Sequence, residues 1–440
     1  MQTLPEFRRA ITTALVPIDL RKVPSDWLAG PLPNSWRSAA GKPVDGTTAG
    51  RTAYINPGIE DILYRRSGRT LLRWHKVTKE VPPPGRSVLE ALEILVLPFR
   101  HPFPTGLLFM HLRLDEELDP VELQRSLNHL TNHNRHHVSG SRSWVASLVD
   151  PWATINSGHR RCQHVTLLTR ATPEWPPLNA GDDPSTRTSR WLFSLATSGR
   201  YRPDPDAITS RTLESAESSQ IWMSDKLRGV ISRDGFAMVG LKDDDGGAGG
   251  RFGFDYDGAE FFARGLYADV LALSIIQRIA LDALDYDLAL RYPHRPTPDG
   301  LLALENELSS FRTRIWRKDF APQGSQDEVL AGLQDVQRLA SRESDLSRNI
   351  SELSARTSRI EQNTIAALLR LLTLVGVFWG LVWSLLSVLE VTWRGWALTA
   401  TLGALAILVA RHPGLRPALG IATRARRKGE QVHIDWGRET

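Results

Sequence analysis

The chain has 440 residues, of which 41% are hydrophobic and 23% charged, and carries a net charge of +5. It is long enough for a normal hydrophobic core in one large or two ordinary domains, with no need of covalent staples. Its single cysteine, Cys162, excludes an intrachain disulfide and suits a reducing compartment. The charge is unevenly placed, with a net +6 over residues 1–85 and +4 over residues 411–440 around a mildly acidic centre. No zinc-finger spacing or aromatic-basic RNA motif accompanies the basic ends, so a lipid surface is the expected partner and nucleic acid is not.

Residues 1–85 form the first segment. Pro, Gly, Ser and Thr are frequent over 1–50 and apolar periodicity is weak, which predicts a basic, largely irregular arm. The N-terminus has no sustained apolar region, so no signal peptide is expected. Residues 62–76 look like two short strands around Ser67-Gly68, and the run Pro82-Pro83-Pro84-Gly85 marks a boundary, with ordered structure expected from about Arg86.

Residues 86–256 read as a cytoplasmic domain with a mixed sheet and helices. Strands are predicted at 93–99, 106–114, 144–149 and 164–169, and a helix after Asp119-Pro120. Residues 172–210 read as a long loop. The turn Arg233-Asp234-Gly235 between two apolar runs is a hairpin signal.

From residue 257 the periodicity becomes helical. The pattern predicts helices over 257–290 and 300–317, a helical pair spanning 257–325 that packs on a stalk helix over 326–364. Counting in sevens, Leu339, Leu346, Leu353, Ile360, Ala367 and Leu374 form one apolar series. Val329, Val336 and Ile350 belong to a second, interrupted by Glu343, Thr357 and Thr364. Together they make a coiled-coil seam that runs into the next segment, and Gly and Pro are absent from Leu333 to Val375, so one continuous rod is expected. The seam suits either other copies of the chain or its own preceding helices.

Residues 365–389 include a 19-residue run without charge, Leu371–Leu389, which as a helix spans about 28 Å, close to the thickness of a hydrocarbon core. A second, shorter apolar segment occupies 396–412 and reads as a second crossing or a re-entrant segment. Arg356, Arg359 and Arg370 precede the first run. Arg411, Arg424, Arg426, Arg427 and Lys428 follow the second, in a basic tail over 413–440 expected at the membrane surface. The positive-inside rule then places both termini in the cytoplasm of a multi-pass inner-membrane protein. The fold class expected overall is an α+β cytoplasmic domain, a coiled-coil stalk and a C-terminal two-helix transmembrane hairpin.

This order of segments, over residues 93–428 and most clearly in 260–290, 300–317 and 326–389, resembles the CorA family of divalent-cation channels. The resemblance implies a pentamer, a pore lined by the first membrane helix, and Mg²⁺ sites between cytoplasmic domains. The family's Gly-Met-Asn triplet is absent: the chain reads Ser387-Val388-Leu389-Glu390-Val391 there, and no Met follows Met238.

The residues have their own reading. Arg370, Thr373, Val377, Gly380, Ser384 and Ser387 recur at spacings that place them on one stripe of the first membrane helix. The stripe suits a pore lining with Val377 as constriction and Arg370 at the mouth, or a contact face between packed helices. Asp243, Asp244, Asp245 and Asp255 flank a Gly-rich loop, a candidate Mg²⁺ or Ca²⁺ site or a solvated turn. His129 and His133, four apart, suit a transition metal or a helix end. Cys162, near His159 and His164, has no nucleophile signature, and no hydrolase, kinase or nucleotide-binding motif occurs, so no enzyme is expected. Two functions follow: a CorA-like oligomer whose cytoplasmic domain gates a small pore, or a non-conducting membrane-tethered sensor or effector that binds a ligand or partner protein.

Overall fold

The computed structural model describes residues 7–33, 54–64, 72–80, 87–115, 122, 144–158, 162–170, 184–197, 214, 217–243, 256–291, 298–322, 324–388, 400–401 and 404. They form a mixed sheet with helices and a long C-terminal apolar helix. The strands are β1 (Phe7–Leu20), β2 (Leu28–Ala29), β3 (Arg73–Glu80), β4 (Ser87–Val96), β5 (Gly106–Leu114), β6 (Ala153–Ile155), β7 (Gln163–Arg170), β8 (Gln220–Ser224), β9 (Leu227–Ser232) and β10 (Gly235–Asp243). The helices are α1 (Pro57–Leu63), α2 (Trp144–Val149), α3 (Pro184–Ala196), α4 (Tyr256–Arg264), α5 (Leu266–Arg291), α6 (Pro298–Arg314), α7 (Gln326–Val336) and α8 (Leu339–Val388).

The sheet runs β2-β3-β4-β5-β1-β7-β10-β9-β8, with β6 also paired to β1. All pairings are antiparallel except β7 with β10. The expectation of an irregular arm over 1–50 is corrected here, because β1 lies at the centre of the sheet. Alternation sends Ala10, Ala14, Val16 and Ile18 to one face and Arg9, Ile11, Thr13 and Leu15 to the other. Ala10, Thr13 and Ala14, three of these eight positions, hide the pattern from a reading by hydrophobicity. Pro17 is tolerated mid-strand because β7 pairs up to Leu15 and β6 starts at Ile18, so its missing N–H falls between two ladders.

Three further expectations are corrected. Residues 62–63, where the first of two short strands over 62–76 was expected, end α1, which starts at Pro57 and buries Ile59 and Leu63, while the second expected strand falls in β3. Residues 144–149 form α2, and residues 184–196 within the expected loop form α3, which buries Trp191, Leu192 and Leu195. Short apolar runs do not separate helix from strand by periodicity alone, and α2 shows it. The hairpin at Arg233-Asp234-Gly235 is present as β9–β10.

One sheet face buries Trp27, Trp152 and Trp191 with Leu108, Met110 and Leu112, beneath α2 and α3. The other face packs α4 on β1 and β7, and α7 on β9. Tyr267 of α5 stacks edge-on against Phe236 of β10, with ring centroids 5.4 Å apart. α5 is apolar almost all round because it is covered all round from Leu266 to Leu281.

The chain divides into two compact units. One holds the whole sheet, α1 to α5 as far as Tyr286, and residues 306–345. The other holds residues 287–305 and the described part of the chain from Leu346 onward.

The continuous rod is also corrected. Arg338 adopts φ 55, a left-handed conformation that ends α7, and α8 begins at Leu339. The Gln337 N–H donates to Leu333 O and the Arg338 N–H to Asp335 O, closing α7 without a glycine. From Leu339 to Val388 α8 is unbroken for 50 residues.

Candidate functional site

α8 carries the most unusual surface. Among the described residues it is the helix long and apolar enough to cross a membrane, and none of its apolar window is buried in the chain. Ile360, Ile365, Leu369, Leu372, Leu374, Val377, Phe378, Leu381 and Trp383 are all exposed. Covering one large apolar side chain is worth about 1.5–3 kcal/mol, so nine left in water forfeit more than ~10 kcal/mol. The heptad series behaves differently along its length. Leu339, Leu346, Ile350 and Thr357 are buried by the chain itself, whereas Ile360 is 64% exposed. Glu343, which interrupts the seam, accepts a 2.6 Å hydrogen bond from Arg312 Nε.

Every member of the expected stripe, Arg370, Thr373, Val377, Gly380, Ser384 and Ser387, is exposed on α8. Thr373 Oγ1 donates to Leu369 O at 2.8 Å and Ser387 Oγ to Ser384 O at 2.7 Å. Such back-bonding satisfies a hydroxyl inside its own helix, which makes these residues compatible with lipid or a packed neighbour without water. Gly376 joins the small positions Gly380 and Ser384 at four-residue spacing, and a Cβ on either glycine would meet nothing within 4 Å. The sequence reading missed Gly376, although its spacing from Gly380 was legible.

The remaining expected sites fall largely outside the described residues. Asp243 closes β10, while Asp244, Asp245, Asp255, His129 and His133 lie outside the described residues. Arg411, Arg424, Arg426, Arg427 and Lys428 lie outside them too, as does most of the second apolar segment. Among the described residues no cluster of three metal-ligating side chains occurs. Cys162 is buried, and burial pushes its thiol well above the usual range, the opposite of what a nucleophile needs. Burial likewise pushes His164 down to about 4, so its ring is neutral at physiological pH.

What the sequence did not show is a pair of buried charge networks on the sheet face that packs α4. Arg73 of β3, 0% exposed, donates from Nε to Glu93 at 2.8 Å and from Nη1 to Asp269 of α5 at 2.7 Å. Glu93 also accepts the Leu32 N–H at 3.0 Å and lies 2.8 Å from His111 Nε2. Asp269 accepts from the Tyr64 hydroxyl, and the guanidinium lies 4.5 Å from the centre of the Phe109 ring. Burial opposes the Arg73 charge, but Asp269 and Glu93 outweigh it and hold its pKa above the ordinary value. In the second network Arg9 and Arg264 both bind Glu260, at 3.0 and 2.9 Å, and Glu90 bridges Arg264 and Arg113. Burial alone would raise the Glu260 carboxyl, yet Arg264 and Arg9 hold it below the usual carboxylate range. These networks clamp β1, β3, β4 and β5 to α4 and α5. All their groups are inaccessible or paired, so they order the fold and offer no open catalytic position.

No family model, curated protein or solved structure matches the chain. The likeness to the CorA family therefore rests on segment order alone.

Proposed function

We infer that the chain is an integral membrane protein in which α8 inserts into the bilayer and holds the α+β domain at the cytoplasmic face as a ligand-sensing or effector module. The observation that carries this reading is the exposed apolar surface of α8 from Ile365 to Trp383, beyond what water tolerates. The segment over 396–412 completes a two-helix hairpin in this reading, and the basic residues from Arg411 onward rest on anionic lipid. The module does not conduct: the Gly-Met-Asn triplet is absent, Thr373 and Ser387 turn their hydroxyls back onto α8, and Arg370 would repel cations at a pore mouth. Copies associate through Gly376, Gly380 and Ser384, where nothing hinders close approach of a second helix.

A second reading is the CorA-like pore, favoured by the stripe from Arg370 to Ser387 on one side of α8. It requires a ring of subunits, a pentamer by the resemblance, and Mg²⁺ bound by the cytoplasmic domains.

Two measurements on one preparation separate the readings. The protein mass of the solubilised particle, by light scattering corrected for detergent, is a dimer in the tethered reading and a pentamer in the pore reading. Liposome flux should be absent and unmoved by Val377→Ser or Arg370→Ala. Ion flux that changes with those substitutions would overturn the non-conducting reading, and extraction of the full chain from membranes by alkaline carbonate would overturn both.

A further inference from the structure

On the sheet face that packs α4 and α7, a cavity of about 640 Å³ lies between α4, the start of α5, the β8–β9 hairpin and the segment that leads into α7. That is within the 300–1,000 Å³ typical of small-molecule sites. Leu227, Ala259 and Tyr267 are buried in its wall, and Tyr54 forms an exposed edge. Tyr54 and Phe262, and then Phe262 and Tyr267, have ring centroids 6.1 Å apart, so three aromatic rings follow one another along one side. Among the described residues none that lines the cavity is charged.

The opposite side is polar and unfinished. Ser325 precedes α7 but makes no side-chain cap bond, because its hydroxyl lies 2.7 Å from the Tyr267 hydroxyl. The leading N–H groups of α7 therefore receive no side-chain cap from Ser325. Gln326, only 4% exposed, lines the cavity, and its Oε1 has no hydrogen-bond partner. A buried acceptor without a donor is costly, and a ligand that supplies the donor removes the cost.

We propose that this cavity binds a neutral, planar heteroaromatic small molecule whose edge carries an N–H donor beside an acceptor. The rings of Phe262 and Tyr267 offer faces and edges to a flat apolar body. A turn of the Gln326 amide brings its carbonyl to the ligand N–H, and the leading N–H groups of α7, uncapped by Ser325, take the ligand acceptor. A charged ligand is disfavoured from both sides: among the described residues no cation lines the cavity for an anion, and no carboxylate lines it for a cation. This inference rests on the ligand-sensing half of the function proposed above.

The test is equilibrium dialysis of the full chain in lipid nanodiscs with radiolabelled adenosine and nicotinamide, water-soluble probes of the stated chemistry that lipid does not take up. At least one should saturate at one per chain. Gln326→Leu should weaken it at least tenfold, and Tyr54→Ala, at an exposed position, several-fold, with no change in melting temperature. If adenosine binds, purine riboside, which lacks the amino donor, should bind at least tenfold more weakly, and AMP, which adds charge, should also lose affinity. No saturation by either probe up to 1 mM, or saturation indifferent to both substitutions, would overturn the proposal. Alkaline-carbonate resistance of the same preparation reports membrane anchoring separately, so the site and the anchor can fail independently.

Discussion

Arg73→Met should destabilise the sheet domain far more than the loss of one ion pair on a surface would. Arg73 is wholly buried and is the cation shared by Glu93 and Asp269, at 2.8 and 2.7 Å. Met fills a similar volume, so little of the loss is a cavity. What it leaves is two buried carboxylates without their counter-ion. Glu93 keeps the Leu32 N–H and the His111 contact, and Asp269 keeps the Tyr64 hydroxyl, so neither is stripped of every partner. Removing one partner from a buried pair costs about 3–5 kcal/mol, and the retained hydrogen bonds place the expected loss near ~4 kcal/mol. At about 2–4 °C per kcal/mol for a unit of this size, the melting temperature should fall by about 10 °C. The assay is urea unfolding of the full chain in detergent, followed by tryptophan fluorescence, with Lys76→Met as the comparison. Lys76 pairs with Asp26 at 2.7 Å, but their side chains are 42% and 60% exposed, so this variant should be indistinguishable from the parent. Combining Arg73→Met with Glu93→Gln and Asp269→Asn should recover part of the loss, because no buried charge is then left alone. Equal, small losses for Arg73→Met and Lys76→Met would refute the reasoning, since they would mean that water reaches the Arg73 network.

Three other outcomes follow from single positions. Burial lowers His164 to about 4 from 6.5, so between those values the unfolded chain holds a proton that the fold does not; stability should fall by about 3 kcal/mol as pH drops through that window, and a urea-midpoint slope unchanged by His164→Gln would contradict this. Gly235→Ala would place a Cβ 2.1 Å from the His164 carbonyl oxygen, backbone that cannot swing away, so a loss of about 3 kcal/mol or more is expected in the same unfolding assay, and a loss under ~1 kcal/mol would show that β7 and β10 part easily. Leu374→Lys, 69% exposed within the apolar run, should cost about 3 kcal/mol of insertion and lower the carbonate-resistant fraction, whereas Leu302→Lys, 57% exposed on α6, should not; equal effects would remove α8 from the bilayer.

The sequence by itself determined the elements whose signals are local. The charge-free run Leu371–Leu389 is long and apolar enough to cross a membrane, and α8 carries it as far as Val388. The β9–β10 hairpin was legible because Asp234-Gly235 is a turn dipeptide between apolar runs. The strand at 106–114 was legible because it is apolar at nearly every position, as a strand covered on both faces must be. Tertiary structure decided the rest. β1 is central only because β5 and β7 take up its backbone groups on either side, a fact no window over 1–50 contains. α7 ends at Arg338 against its own helix propensity, in a stretch without Gly or Pro. The Arg73 network joins residues 73, 93, 111 and 269, and the cavity at Gln326 joins residues 54, 227, 262 and 326; each is built by contacts far longer than any sequence period. A periodic pattern reports which face of an element is apolar, and only the packed chain decides which distant charges must share that interior.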